Sequence, residues 1–240
     1  MWFSGYNRGI EKMGFLDEKY LLSNEMACKL FRRVVDLPVV DPHNHVDVKE
    51  LAENKNYSDP WQLFVGTDHY VWSVLRKCGV PERYITGDAA PVEKWMKMSD
   101  VFPLIAGNPV YEWFHLDLKR CFGIEEILNG KTGKKIWDVL CKKIALLENR
   151  PQELLKRAGI EVMCSTDDPS DILEDHITVN RMMGKTIVRP TWRPDKIAKI
   201  TSPYWREYLT KLEDRFGIKC SSINDLTDIL TVSHDYFANY

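Results

Sequence analysis

The stretch Leu37-Pro38-Val39-Val40-Asp41-Pro42-His43-Asn44-His45 decides how the rest of this chain is read. Its apolar run is short and valine-rich, which predicts a parallel strand over Pro38–Asp41, buried on both faces. A His-x-His follows directly. Side chains two apart on extended backbone point to one side, so His43 and His45 are expected about 6–7 Å apart and able to converge on one divalent cation. Folds of the (β/α) barrel type build their active sites where strands end, which gives the placement its interest. A pair of inert loop histidines is the competing reading of so short a motif.

Working outward, residues before Ser23 form an irregular lead-in. Ser23 or Asn24 then caps a helix that runs to about Val35, with Ala27, Leu30, Phe31 and Val34 on one face. After the His-x-His, residues 46–150 read as helical with no convincing strand. The stripes Trp95/Met98/Phe102, Val110/Trp113/Phe114/Leu118 and Ile136/Val139/Leu140/Ile144/Leu147 recur at helical spacing and read as core. Strand character returns in Ile160–Thr166, which ends at Asp167-Asp168-Pro169. A helix is expected over Ser170–Met183. A third strand, Thr186–Thr191, ends at Trp192-Arg193-Pro194-Asp195, and two helices follow.

The fold expected is therefore α/β: the first three strands of a partial TIM-type (β/α) barrel, with a large helical insertion after strand 1. The division expected is 1–45 (lead-in helix and first strand), 46–150 (insertion) and 151–240 (second and third βα units). Three strands cannot close a barrel, so the chain is expected to be an incomplete one that stops before closure.

Composition narrows the partners. The 240 residues carry a net charge of −2 with both signs mixed, so no nucleic-acid footprint is present. No apolar run is long enough to span a membrane, and Met1–Gly14 lacks signal-peptide order, so a cytoplasmic protein is expected. The six cysteines form no CxxC and no zinc-finger spacing. Cys28, Cys78 and Cys141 read as small buried hydrophobes, and no disulfide is expected.

Five segments stand in order: Asp41-Pro42-His43-Asn44-His45, Asp68-His69-Tyr70-Val71-Trp72, Asn108 to Leu118, Cys164-Ser165-Thr166-Asp167-Asp168-Pro169 and Pro190-Thr191-Trp192-Arg193-Pro194-Asp195. Together they resemble the N-terminal half of the uronate (glucuronate) isomerase family, a divergent branch of the metal-dependent amidohydrolase superfamily. The resemblance runs from about residue 16 to residue 240.

The resemblance implies an aldose–ketose isomerase that interconverts D-glucuronate with D-fructuronate and D-galacturonate with D-tagaturonate. It implies a divalent metal, zinc with manganese as the alternative, held by His43 and His45. Tyr70 matches a family tyrosine linked to proton transfer. His69, Arg120, Thr166, Asp167 and Arg193 become candidate contacts to the hexuronate. His176 and His234 read as surface or satisfied core histidines. Little activity is expected of this chain alone, and a C-terminal half or a second copy is the expected partner. The competing classes are a metal-dependent hydrolase of the same superfamily and a non-catalytic fragment.

Overall fold

A computed structural model describes residues 15–17 and 19–240; most of the lead-in expected before Ser23 lies outside them. Helix α1, Glu25–Val34, opens on Asn24, whose side chain accepts the Ala27 amide at 2.9 Å. Strand β1 (Val39–Asp41) and the short α2 (Val48–Glu53) come next. The middle of the chain is helical throughout: α3 (Pro60–Phe64), α4 (His69–Lys77), α5 (Pro91–Val101), α6 (Pro109–Phe122) and α7 (Gly133–Ile144). Helix α8 (Pro151–Arg157) leads into β2 (Ile160–Cys164), α9 (Glu174–Met183) and β3 (Ile187–Arg189). The chain then forms α10 (Asp195–Ala198), α11 (Trp205–Phe216) and α12 (Ile223–Ala238).

These elements sort into two compact units. One joins the described part of Met1–Leu37 to Asn56–Arg150; the other joins Pro38–Lys55 to Pro151–Tyr240. The second contains the sheet, which is parallel throughout in the order β1-β2-β3. Val40 faces Val162 and Asp41 faces Met163 across the first pair; Met163 faces Val188 and Cys164 faces Arg189 across the next. Helices α2 and α9 cover one side of it. Val48, Leu51, Met163, Val179, Met183 and Val188 form the resulting core. A second cluster of Ile197, Leu209, Leu212 and Ile229 joins α10, α11 and α12.

In the helical unit the core is aromatic. Trp95 is fully buried, and its indole Nε1 donates to the Gly133 carbonyl at 2.9 Å, so the large ring is taken out of water without leaving a polar atom unpaired. Phe64, Phe114 and Trp137 pack on it, with ring centroids between 5.6 and 6.3 Å away. Ile136, Leu140 and Ile144 supply the buried stripe of α7; Leu147, counted in that stripe from sequence, lies beyond the helix and is exposed.

Three local expectations change. The strand read as buried on both faces is not: Val39 and Val40 are 40% and 62% exposed, and neither joins the core cluster that buries Met163 of β2 and Val188 of β3. The apolar face of α1 is also open, with no residue fully buried and Leu30 and Val34 on the surface. The helix after β2 begins at Glu174 rather than Ser170. Carboxylates capture the backbone first: Asp168 accepts the Ser170 amide and hydroxyl, and Asp171 accepts the Asp168 amide. Leu173 then takes a left-handed conformation, φ 58°, before α9 can start. The cysteines are free and half-buried.

Candidate functional site

The C-terminal ends of the strands are stitched together by side chains. Past β1, Asp41 accepts the His43 amide at 3.2 Å, which bends the chain out of the strand. The His-x-His therefore sits on the loop past the end of β1. The two rings nevertheless come together, with centroids 4.9 Å apart and planes at 83°. Asn44 between them points the other way: its amide nitrogen donates to the Cys164 carbonyl at 2.9 Å, and its backbone N–H donates to the same oxygen at 3.1 Å. Thr166 completes the clamp by donating to the Asn44 carbonyl at 2.6 Å. Anchored so, Asn44 faces the sheet while both imidazoles face outward.

Between β2 and β3 the hub is Asp167. Its N–H donates to Thr191, its carbonyl accepts the Arg193 amide, and its Oδ2 accepts the Thr191 amide at 3.0 Å and the Ser165 hydroxyl at 2.7 Å. His176 of α9 approaches from beneath, with Nε2 2.8 Å from Ser165 Oγ and 3.5 Å from Asp167 Oδ1. Burial holds the His176 imidazole below its usual pKa, against the pull of Asp167, Asp175 and Asp171. Next along, burial pushes the Asp168 carboxyl upward, but hydrogen bonds from Ser170, Tyr208 and Lys196 outweigh it and keep the group below its ordinary range. Arg193 turns its guanidinium to Asp195, 3.0 Å away.

A cleft of about 500 Å³ opens between the β1–α2 loop and the β2–α9 loop. Its lining includes His45, Lys49, Thr166, Asp167, Asp171 and His176. Of the residues proposed from sequence, His43, His45, Thr166, Asp167 and Arg193 belong to this sheet unit.

His69, Tyr70 and Arg120 belong to the helical unit. Asp68 caps α4 by accepting the Tyr70 and Val71 amides, which places His69 and Tyr70 in the first turn with their rings 4.4 Å apart. Tyr70 is 60% exposed. Arg120 lies in the last turn of α6, exposed, at the edge of an apolar cleft of about 710 Å³ that Phe31, Arg32 and Trp113 also line. The carboxyl of Asp117, one turn earlier, is pushed up to about 6, chiefly by burial, with Arg120 pulling it down and Asp68 pushing it up.

The glucuronate isomerase family model matches residues 13–240. The chain belongs to the glucuronate isomerase family. A uronate isomerase from Thermotoga maritima is 43% identical over 226 residues, covering 94% of this chain and 50% of that protein. One from Lachnospira eligens is 38% identical, covering 94% of this chain and 48% of the relative. The crystal structure of the Thermotoga maritima uronate isomerase superposes with a TM-score of 0.90 over 95% of this chain and 50% of that one. The glucuronate isomerase of Caulobacter crescentus, at 24% identity and TM-score 0.82, shares the fold. This member spans about half the length of the curated isomerases it matches. The hydrolase alternative is not favoured by any of these matches.

The donor set can be tested against the metal that the isomerase family implies. Two adjacent imidazoles held by one clamped residue suit two positions on a divalent cation. Among the described residues no group of three His, Cys, Asp or Glu side chains is gathered to hold one. The pair by itself therefore offers fewer donors than a catalytic cation takes from protein. Neither Ser165 nor the link from His176 to Asp167 is evident along the sequence. The available signal is the buried spacing His176/Val179/Met183, which puts an imidazole on the inner stripe of α9.

Proposed function

We propose that this chain supplies the first βα units of a uronate isomerase, a (β/α) barrel enzyme that interconverts D-glucuronate with D-fructuronate and D-galacturonate with D-tagaturonate in the cytoplasm. The observation that carries the reading is the His43–His45 ring pair, in a chain that matches the family from residue 13 onward. A divalent ion, zinc or manganese, held by that pair would polarise the sugar's carbonyl and hydroxyl oxygens.

The reaction moves a proton between adjacent carbons through an enediol. Tyr70 is the proposed proton carrier; its exposed phenol beside His69 has room to reach a sugar. The hexuronate's carboxylate calls for a guanidinium, and Arg193 and Arg120 are the proposed partners, with His69, Thr166 and Asp167 contributing contacts to sugar hydroxyls. Arg193 would exchange Asp195 for substrate, and its half-exposed side chain makes that exchange feasible.

The exposed valines of β1 support a further part of the proposal. Parallel sheets are normally covered on both faces, so the open edge is proposed to meet additional isomerase structure, from the same fold or a second copy. The test is a coupled isomerase assay with Zn²⁺ or Mn²⁺, run on this chain alone and with a polypeptide that supplies the remaining family length. Turnover of hexuronates only when both are present is the expected result. Absence of turnover in both arms, with metal bound, defeats the proposal.

A further inference from the structure

We infer that His176 is a positioning residue: acting through Ser165 and Asp167, it fixes the extended Thr191–Arg193 segment after β3, which bridges in parallel to Asp167, at the rim of the candidate uronate site. The identity of the ligand rests on the reading proposed above; the positioning itself rests on geometry alone. A serine hydroxyl has one proton, and an ionised carboxylate only accepts. Ser165 Oγ lies 2.7 Å from Asp167 Oδ2 and 3.2 Å from the Arg189 carbonyl; the shorter contact, to a charged oxygen, takes the proton, and His176 Nε2–H donates in turn to Ser165 Oγ at 2.8 Å. The donor chain ends on a residue that holds β3's extension in three ways. Asp167 N–H bonds Thr191, its carboxylate takes the Thr191 amide, and its carbonyl takes the Arg193 amide at 3.1 Å.

The position lies on the buried stripe of α9 with Val179 and Met183, where an apolar side chain would satisfy packing but would take the donor away from the buried Ser165 hydroxyl. The imidazole is 4% exposed, and its Nε2 is directed at this hub. It also forms part of the wall of the cleft that His45 and Thr166 line. The arrangement therefore keeps Asp167 in one orientation, and with it the backbone that carries Arg193.

The test uses the full 240-residue chain. His176→Leu removes the donor; His176→Gln places an amide nitrogen near the position of Nε2; Ser165→Ala cuts the relay in the middle without touching the helix. Amide hydrogen exchange is read at Thr191 and Arg193, against Met163 and Val188 in the same sheet. The expected result is exchange about tenfold faster at Thr191 and Arg193 in His176→Leu and Ser165→Ala, unchanged at Met163 and Val188, and restored in His176→Gln. Binding of D-glucuronate, followed by NMR, should weaken by a similar factor in the first two variants, with D-glucose as the uncharged control. Uniform acceleration at every amide would reduce His176 to an ordinary core residue and overturn the inference, as would no change at Thr191 and Arg193. If the wild-type chain, which carries only part of the proposed site, binds no uronate, exchange at Thr191 and Arg193 decides the positioning role by itself. Should His176→Leu fail to fold, exchange at Thr191 and Arg193 in Ser165→Ala decides the question in the same way.

Discussion

Thr166 Oγ1 donates to the carbonyl of Asn44 at 2.6 Å, so the loop after β2 fixes the peptide that lies between the two candidate metal histidines. The metal pair is thereby set by an element more than a hundred residues away in sequence. Replacing Thr166 with valine keeps the shape and removes the donor. Zinc affinity, measured by titration calorimetry, is expected to fall by about 10-fold or more, in line with the loss of other residues that orient metal ligands. Unaltered affinity would show that the clamp is irrelevant to the pair.

His43 and His45 are both solvent-facing, so their loss should separate metal binding from stability. His43→Ala and His45→Ala are each expected to abolish stoichiometric zinc in the purified protein while shifting unfolding free energy by no more than about 0.5 kcal/mol. Elemental analysis and urea titration on the same samples check both halves. Retention of one zinc per chain by the double variant would place the ion elsewhere.

Acid should destabilise both units through buried histidines. His115 sits 5% exposed, with Nδ1 2.7 Å from the Tyr111 carbonyl and Nε2 accepting the Leu128 amide at 2.9 Å, an arrangement that only the neutral ring satisfies. Burial lowers its pKa, against the Tyr111 carbonyl, and burial likewise lowers that of His176. The unfolded chain therefore takes up protons first as pH falls below about 6.5, and folded stability drops through that window down to the depressed folded values. Above pH ~7 both states hold neutral rings and no change is expected. The Asp117 carboxyl, pushed up to about 6 chiefly by burial, acts in the opposite sense over the same window. Urea midpoints at pH 7.5 and 5.5 are therefore compared in an Asp117→Asn background, where a flat or rising midpoint on acidification contradicts the histidine account.

Alanine normally stabilises a helix relative to glycine, by about 1 kcal/mol in an interior position. At Gly133, the first residue of α7, the sign should reverse. A Cβ there would lie 2.6 Å from Ser99 Cβ, and Ser99 is fully buried with its hydroxyl bonded to the Trp95 carbonyl. Gly133→Ala is expected to cost about 1–3 kcal/mol by overpacking. Pairing it with Ser99→Gly should recover much of that loss, and a thermal unfolding series would read both.

Trp95 anchors the helical unit through burial and the Gly133 hydrogen bond together. Trp95→Phe keeps a ring but leaves the Gly133 carbonyl without this donor. An expected loss of about 1–3 kcal/mol would reflect the smaller ring and the lost indole bond, since the Gly133 carbonyl keeps its acceptor place in the first turn of α7. A loss below about 0.5 kcal/mol would mean that the indole contributes little beyond its phenyl-sized part.

Much of this molecule is legible along the chain. The three strands, their order and the helical stretch between the first two follow from hydrophobic period and length, because side-chain spacing is a local property. The cap at Asn24 reads equally well, since it acts on an amide within its own first turn; those at Asp68 and Asn108 emerge from the structure. The late start of α9 was not legible, because carboxylates of Asp168 and Asp171 compete for the same amides and nothing in the period reveals which wins.

The sequence by itself determined the parallel βα register, the family and the presence of two histidines just past the first strand. Tertiary structure alone decided that those rings lie 4.9 Å apart on a loop, that β1 remains an open edge, and that Asp167 serves as a hub held by Ser165 and His176. The physical reason is distance along the chain. Period and capping act over a few residues, whereas hydrogen bonds such as Thr166 to Asn44 exist only once remote segments are brought side by side.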